Sequence, residues 1–390
     1  MTQTEKALRL KTDEAWMDFA LDEARKAWRL SPPNPSVGAV IVKDGRLIGA
    51  GSTQQTGGPH AEIMALRDAA ARGENVEGAT VYVTLEPCSH WGRTPPCALA
   101  LIEAKVARVV AATGDPNPKV CGRGLRMLED AGVEVELGVR EREAKEVNVS
   151  FLARMTRGTP WVRVKTAITL DGRTALPDGR SKWITGEEAR KDVQFWRGRS
   201  GAVVTGAGTV RADDPQMNVR LDDQVRQPLR VVVDPRLETS PEAKILHSPG
   251  GRVLFVSAEE NRERRNALEA AGAEVLRIPH PEVPGRVALA RLMVELARRE
   301  VNEVHVEAGP RLTGAFIEAG LADELLVYMA LPFRRRASSR SHSAAAGARR
   351  SAALANSFPR SDRGRYSNSS EEINQDVYRH CSGHRQGSRT

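Results

Sequence analysis

The chain has 390 residues, 40% of them apolar, enough for two domains that each bury a core. No apolar run approaches the about 18 residues of a membrane span, and the amino end lacks a basic-then-apolar leader, so neither a membrane nor secretion is expected and the location is read as cytoplasmic. The net charge of +8 suggests nucleic acid only until it is located: residues 331–390 carry twelve arginines, no lysine and four acids, whereas residues 1–330 balance 46 basic against 46 acidic residues.

In chain order, EAWMDFALDEARKAWRL (14–30) places Trp16, Phe19, Ala20, Ala24, Ala27 and Trp28 at helical spacing, and PPNP (32–35) ends that helix. VGAVIVKDGRLIGAG (37–51) gives two β runs around Asp44-Gly45, a hairpin signal. HAEIMALRDAAARG predicts a helix opening at His60 and closing at Gly73, followed by a strand, ATVYVTL (79–85). Pro95 and Pro96 suit the first turn of a helix over CALALIEAKV, before a buried-type strand, ARVVAAT (107–113). Alternating helices and strands make the first domain a three-layer α/β unit over 1–150.

Gly158-Thr159-Pro160 punctuates the chain before a fresh strand, so a second domain is drawn over 151–330. Strand-like runs at 202–206, 229–234, 252–257 and 303–309 alternate with helical stretches, which predicts a mostly parallel α/β sheet. From 331 to 390 neither period persists, and an Arg, Ser, Ala and Gly composition cannot bury enough apolar area to order itself, so disorder is expected from about 335 onward.

The chemistry concentrates in the first domain. Of four cysteines, Cys121 reads as an ordinary buried thiol and Cys381 lies in the tail, while Cys88 and Cys97 flank a loop after a strand. Four are too few for a disulfide scaffold in a chain this long, so clustered cysteines are better read as metal ligands. His60, Cys88 and Cys97 supply an imidazole and two thiolates, three of the four tetrahedral positions of Zn²⁺, leaving one for water. Glu62, two residues after His60, is free to shuttle protons as the catalytic acid/base. Zinc nucleobase deaminases carry H-x-E followed by P-C-x-x-C. Here the second Cys stands nine residues after the first, and Cys97 falls in the first turn of a helix whose dipole favours a thiolate. Two other readings stay open: packing thiols, or a structural zinc knot with His90 as fourth ligand, which would leave Glu62 without a task.

PPNPSVGAVIV, HAE, VTLEPCSHWGRTPPC and GDPNPKVCGRG resemble the deaminase half of the bifunctional riboflavin-biosynthesis deaminase-reductases. KTAITLDGRTA, SKWITG, VVTGAGTVRADDP and VEAGPRLTGAFIEAGLADELLVY resemble the reductase half, and the likeness runs from about Trp16 to Ala330. The resemblance implies a cytidine-deaminase-like domain and a dihydrofolate-reductase-like domain, both α/β, and a homo-oligomer. It implies hydrolytic deamination of 2,5-diamino-6-(5-phosphoribosylamino)pyrimidin-4(3H)-one, then NADPH reduction of the product's ribosyl group to ribityl. Asn34, Asp115 and Asn117 match pyrimidine-pocket positions, although Asn and Asp beside Pro also serve plain turns. Ala167, Trp183, Thr209, Asp213 and Gly309, Pro310, Arg311, Leu312, Thr313, Gly314 and Ala315 match cofactor positions. Ser181, Arg197, Met217, Arg220 and Glu307 match substrate positions. The two arginines suit a phosphate, but RGR at 197–199 holds one arginine too many to assign, and Trp183 could equally be core.

The resemblance stops after DELLVYMA, where LPFRRRASSR begins without apolar alternation. A change in mid-strand to Arg, Ser and Ala reads as a changed reading frame, and the reductase step is expected to be impaired. Two competitors remain: a deaminase of bases within RNA or DNA, which the neutral 1–330 balance does not favour, and an RNA-binding module built on the basic tail.

Overall fold

The computed structural model describes residues 12–91, 95–117, 120–174, 185–223 and 226–330, with a two-residue strand at 353–354. The disorder and altered frame expected beyond residue 330 otherwise concern residues outside this set. The described residues fall into two compact units that divide between Arg157 and Gly158. The sequence boundary at 150 falls earlier because helix α6 (Val149–Arg157) buries Phe151 in the first core.

The first unit is built on a five-stranded sheet in the order β2-β1-β3-β4-β5. Its strands are β1 (Gly38–Lys43), β2 (Arg46–Ser52), β3 (Thr80–Val83), β4 (Arg108–Ala111) and β5 (Glu134–Leu137). β1 runs antiparallel to β2 and β3, and β3, β4 and β5 are parallel. The period-2 alternation of β1 divides its side chains between two cores: Ala39 and Ile41 on one face, Val40 and Val42 on the other. β3 and β4 repeat the division, with Val81, Val83, Val109 and Ala111 opposite Tyr82 and Val110. Helices α2 (Ala61–Ala71), α3 (Cys97–Glu103), α4 (Arg123–Asp130) and α6 cover the first face. Helices α1 (Asp13–Lys26) and α5 (Glu141–Val147) cover the second, which makes three layers.

Local sequence accounts for most boundaries. Thr12 caps α1 by accepting from the Ala15 N–H at 3.3 Å, with Asp13 and Glu14 in the first turn and Arg25 and Lys26 in the last. Asp44 and Gly45 both have positive φ, 51° and 69°, the turn that matches strand twist in a two-residue hairpin. Gly73 has φ 70°, just past the end of α2. Pro95 and Pro96 differ from expectation: they precede α3, with Pro96 extended as its cap, so that Cys97 is the first helical residue. The edge strand β5 was not predicted, since its alternation of exposed and half-buried residues carries little apolar signal.

The second unit holds an eight-stranded sheet in the order β10-β9-β8-β7-β11-β6-β12-β13. The strands are β6 (Trp161–Thr169), β7 (Ala202–Gly206), β8 (Leu229–Val233), β9 (Val253–Ser257), β10 (Glu274–Arg277), β11 (Glu303–Glu307), β12 (Glu324–Ala330) and β13 (Ala353–Leu354). Every pairing is parallel except β12 with β13. Central strands are apolar on both faces, as a covered parallel sheet requires: Val204, Val231 and Leu254 face one core, Val203, Val232 and Phe255 the other. Helices α11 (Leu289–Arg298) and α12 (Pro310–Glu318) pack on the first face. Helices α8 (Ala207–Asp213), α9 (Lys244–His247) and α10 (Arg262–Ala270) pack on the second. Helix α7 (Glu187–Arg199) joins a smaller cluster with Leu326 and Tyr328 of β12. The chain steps outward from β7 to β10 and then returns β11 between β7 and β6. That reversal opens a crevice at the carboxyl ends of the strands, the usual ligand position in such sheets.

Candidate functional site

In the first unit, α2 comes close to β2 because β2 carries glycines where the helix crosses it. A Cβ on Gly49 would lie 2.4 Å from the Ala65 carbonyl oxygen, and one on Gly51 2.5 Å from the Ala65 nitrogen. This contact sets His60, the N-cap of α2, and Glu62 in its first turn against the loop that follows β3. The ligand atoms of His60, Cys88 and Cys97 all lie within 4.8 Å of one another, a metal-ligating cluster without His90. His60 Nδ1 is 3.6 Å from Cys88 Sγ and 3.4 Å from Cys97 Sγ, and the Cys97 N–H donates to Cys88 Sγ at 3.3 Å. Hydrogen bonding from Cys97, opposed by burial and helped by His60, holds the Cys88 thiol below its ordinary value. That same bond to Cys88, with burial and the Glu62 charge, pushes the Cys97 thiol up.

One imidazole nitrogen and two sulfurs satisfy three tetrahedral positions and leave a fourth open, the donor set of a catalytic zinc. Glu62 is buried, and burial together with the Cys88 charge raises its pKa to about 7. Asp115 is also buried and raised to about 7, by burial first and then by the charges of Glu86 and Cys88. Its Oδ1 accepts from the Asn117 N–H at 2.8 Å. Asn34 sits in a turn, its N–H donating to the Ser31 carbonyl at 2.9 Å, and among the described residues it makes no hydrogen bond to the cluster. Cys121 is half-buried, with φ 23°, rather than the buried thiol expected. Sequence reasoning missed Glu86, whose buried carboxylate accepts three backbone N–H groups from the segment bearing Asp115.

In the second unit an open cavity of ≈ 2170 Å³ lies at the strand ends. It is lined by Ala167, Thr209, Asp213, Gly309, Pro310, Arg311, Leu312, Thr313, Gly314 and Ala315, and also by Arg197, Met217, Arg220 and Glu307. Ser181 and Trp183 lie outside the described residues. The volume exceeds the ~300–1,000 Å³ of a single small-ligand site, leaving room for a dinucleotide and a second molecule. Helices α8 and α12 start at the ends of β7 and β11 and have no acid in their first turns, so their N-terminal N–H groups suit a pyrophosphate. The Gly309 N–H donates to Thr209 Oγ1 at 3.2 Å, tying the two turns together.

The three arginine-rich positions now separate. Arg197 Nη2 donates to Glu307 Oε2 at 2.9 Å, its Nε to Oε1 at 2.5 Å, and its Nη1 to the Asn218 carbonyl at 2.9 Å. Its fork is taken up by Glu307 in this structure. Arg199 instead pairs with buried Glu303 at 3.0 Å and stacks over Trp196, a structural role. Arg220 is exposed at the cavity, anchored by Nη1 to Asn218 Oδ1 at 2.7 Å. Lys165 was not singled out from sequence; it lines the cavity, and its charge helps hold Glu307 ionised. No helix among the described residues is long and apolar enough to cross a membrane.

Residues 10–113 match the cytidine and deoxycytidylate deaminase zinc-binding region, and residues 160–332 match the RibD C-terminal domain. The chain is 46% identical over 330 residues to riboflavin biosynthesis protein RibD of Escherichia coli K12, covering 82% of this chain and 87% of that protein. It is 41% identical over 318 residues to the Aquifex aeolicus RibD, covering 82% and 86%. Among solved structures, Acinetobacter baumannii RibD superposes with a TM-score of 0.74 at 44% identity, covering 83% of this chain and 88% of that one. A Thermotoga maritima diaminohydroxyphosphoribosylaminopyrimidine deaminase/5-amino-6-(5-phosphoribosylamino)uracil reductase gives 0.73 at 36%, covering 82% and 87%. With the His-Cys-Cys cluster in one unit and the cofactor-sized cavity in the other, the chain belongs to the RibD family of riboflavin biosynthesis, whose members join a zinc deaminase to an NADPH-dependent reductase.

Proposed function

We propose that the first unit deaminates 2,5-diamino-6-(5-phosphoribosylamino)pyrimidin-4(3H)-one and that Glu62 is its proton shuttle. The observation that carries this reading is the buried Glu62 in the first turn of α2, beside its N-cap His60, which clusters with Cys88 and Cys97. When bound by His60, Cys88 and Cys97, zinc supplies Lewis acidity that lowers the pKa of water toward ~7. Glu62 takes the first proton that the attacking water releases and passes it to the ring nitrogen, then takes the second, from the hydroxyl so formed, and passes it to the amine as the C–N bond breaks and ammonia leaves. Asp115 and Asn117 orient the pyrimidine, with Asn34 as a further contact from the preceding turn.

The second unit holds NADPH along Gly309–Ala315, Thr209, Asp213 and Ala167, with Trp183 as a further contact, and NADPH supplies the hydride. Glu307, fixed by Arg197, faces the reacting sugar, Arg220 takes the substrate phosphate, Met217 lines the same cavity, and the resemblance adds Ser181 as a further substrate contact. We read this half as impaired. Past Ala330 the sequence changes to Arg, Ser and Ala and loses the apolar alternation of the preceding strand. An RNA or DNA deaminase, or a binding module based on the tail, is not favoured, since the matched families run through both units.

Glu62→Gln keeps the shape of the side chain and removes its base. Zinc should remain bound while ammonia release falls by about 100-fold or more. Activity equal to the unaltered enzyme would rule out the shuttle.

A further inference from the structure

Glu86 belongs to the TLEPC run, yet neither the metal nor the proton shuttle gives it work. It is 4% exposed and lies outside the ligand cluster. Its Oε2 accepts from the Asp115 N–H at 3.2 Å and from the Gly122 N–H at 2.9 Å, and its Oε1 accepts from the Gly124 N–H at 3.0 Å. Its own N–H donates to the Thr113 carbonyl at 2.9 Å. One carboxylate therefore grips both ends of the segment that carries Asp115 and Asn117. The segment also lies directly on the ligand turn: a Cβ on Gly124 would fall 1.9 Å from the carbonyl oxygen of Pro87, the residue before Cys88. A buried carboxylate held by three N–H donors is a strong and directional clamp, because charge-assisted hydrogen bonds are roughly twice as strong as neutral ones.

We propose that Glu86 is a positioning residue for deamination, locking the loop of Asp115 and Asn117 onto the Cys88 turn and so fixing the pyrimidine pocket against the metal. The proposal rests on the reading of that loop as pyrimidine-binding. A carboxylate that merely stabilised the fold would, when altered, lower the melting temperature without changing how substrate binds.

The test compares the full chain with Glu86→Gln, measuring zinc content, steady-state deamination of the diaminopyrimidine phosphate, and amide hydrogen exchange. An amide in place of the carboxylate turns N–H donors toward N–H donors on one side of the clamp. The variant should keep its zinc and raise KM by about tenfold or more, with a smaller fall in kcat. Exchange at Asp115, Gly122 and Gly124 should quicken. An unchanged KM with zinc retained would overturn the proposal. So would loss of zinc with the three amides still protected, since Glu86 would then serve the metal turn. If the variant does not fold, the unaltered chain decides: the three amides should exchange as slowly as those of β3, and fast exchange would overturn the clamp. An unaltered, zinc-loaded chain that releases no ammonia would refute the functional reading, while the exchange measurement would still decide the clamp.

Discussion

Glu307, its side chain 11% exposed, stands at the end of β11, and its loss of contact with water would by itself raise its pKa. The charge and hydrogen bonds of Arg197, with His305 and Lys165, outweigh burial and hold it at about 2, against an ordinary glutamate value of 4.5. A folded pKa below the unfolded one contributes stability that is complete above the unfolded value and is lost as pH falls through the folded one. The second unit should therefore weaken between about pH 5 and pH 2, and denaturant titration across that range measures it. Arg197→Leu should cost up to about 3 kcal/mol at pH 7, because it removes the two-pronged partner of a largely buried carboxylate. It should also flatten the acid limb, since Glu307 then has no depressed pKa to lose. An acid limb as steep as that of the unaltered protein would show that Arg197 does not set it. The sequence could not separate Arg197 from Arg199, because both pair with glutamates and only the fold shows which of these lines the cavity. His60, Glu62, Cys88 and Cys97 were legible because a helix start and a strand end bring those residue types together, whereas Glu86 resembled any acid in a loop.

At the scale of elements, the active geometry of the first unit depends on how closely α2 approaches β2. Gly51→Ala would set a methyl 2.5 Å from the Ala65 nitrogen and the Met64 Cβ, so the helix itself must shift. The expected cost is about 1–3 kcal/mol, and because α2 carries His60, zinc affinity should fall when measured by chelator competition. Unchanged affinity would mean that the ligand cluster tolerates movement of the helix. The hairpin, α2 and the central strands were readable from turn residues and apolar period. The closeness of α2 to β2 was not, since a glycine in a strand marks a close approach without naming what approaches. Pro95 and Pro96 signalled a helix correctly but stand ahead of it, and β5 and β10 lacked the apolar run that identifies a covered strand.

For the whole molecule, charge balance was an informative sequence signal, because it confined the basic excess to residues 331–390 and left the two units neutral. Neutral units suit small phosphorylated substrates, gripped by a few placed arginines and helix N-termini rather than by a broad basic field. Strand order was not legible: nothing in the sequence of β11 states that it returns between β7 and β6, yet that reversal creates the cavity. The central claim is that the first unit is a zinc deaminase that works whatever the state of the reductase. The purified chain should carry about one zinc and release ammonia from 2,5-diamino-6-(5-phosphoribosylamino)pyrimidin-4(3H)-one at the same rate with or without NADPH, with little NADPH consumed. Zinc-loaded protein that releases no ammonia, or ammonia release that persists after the zinc is stripped, would contradict it.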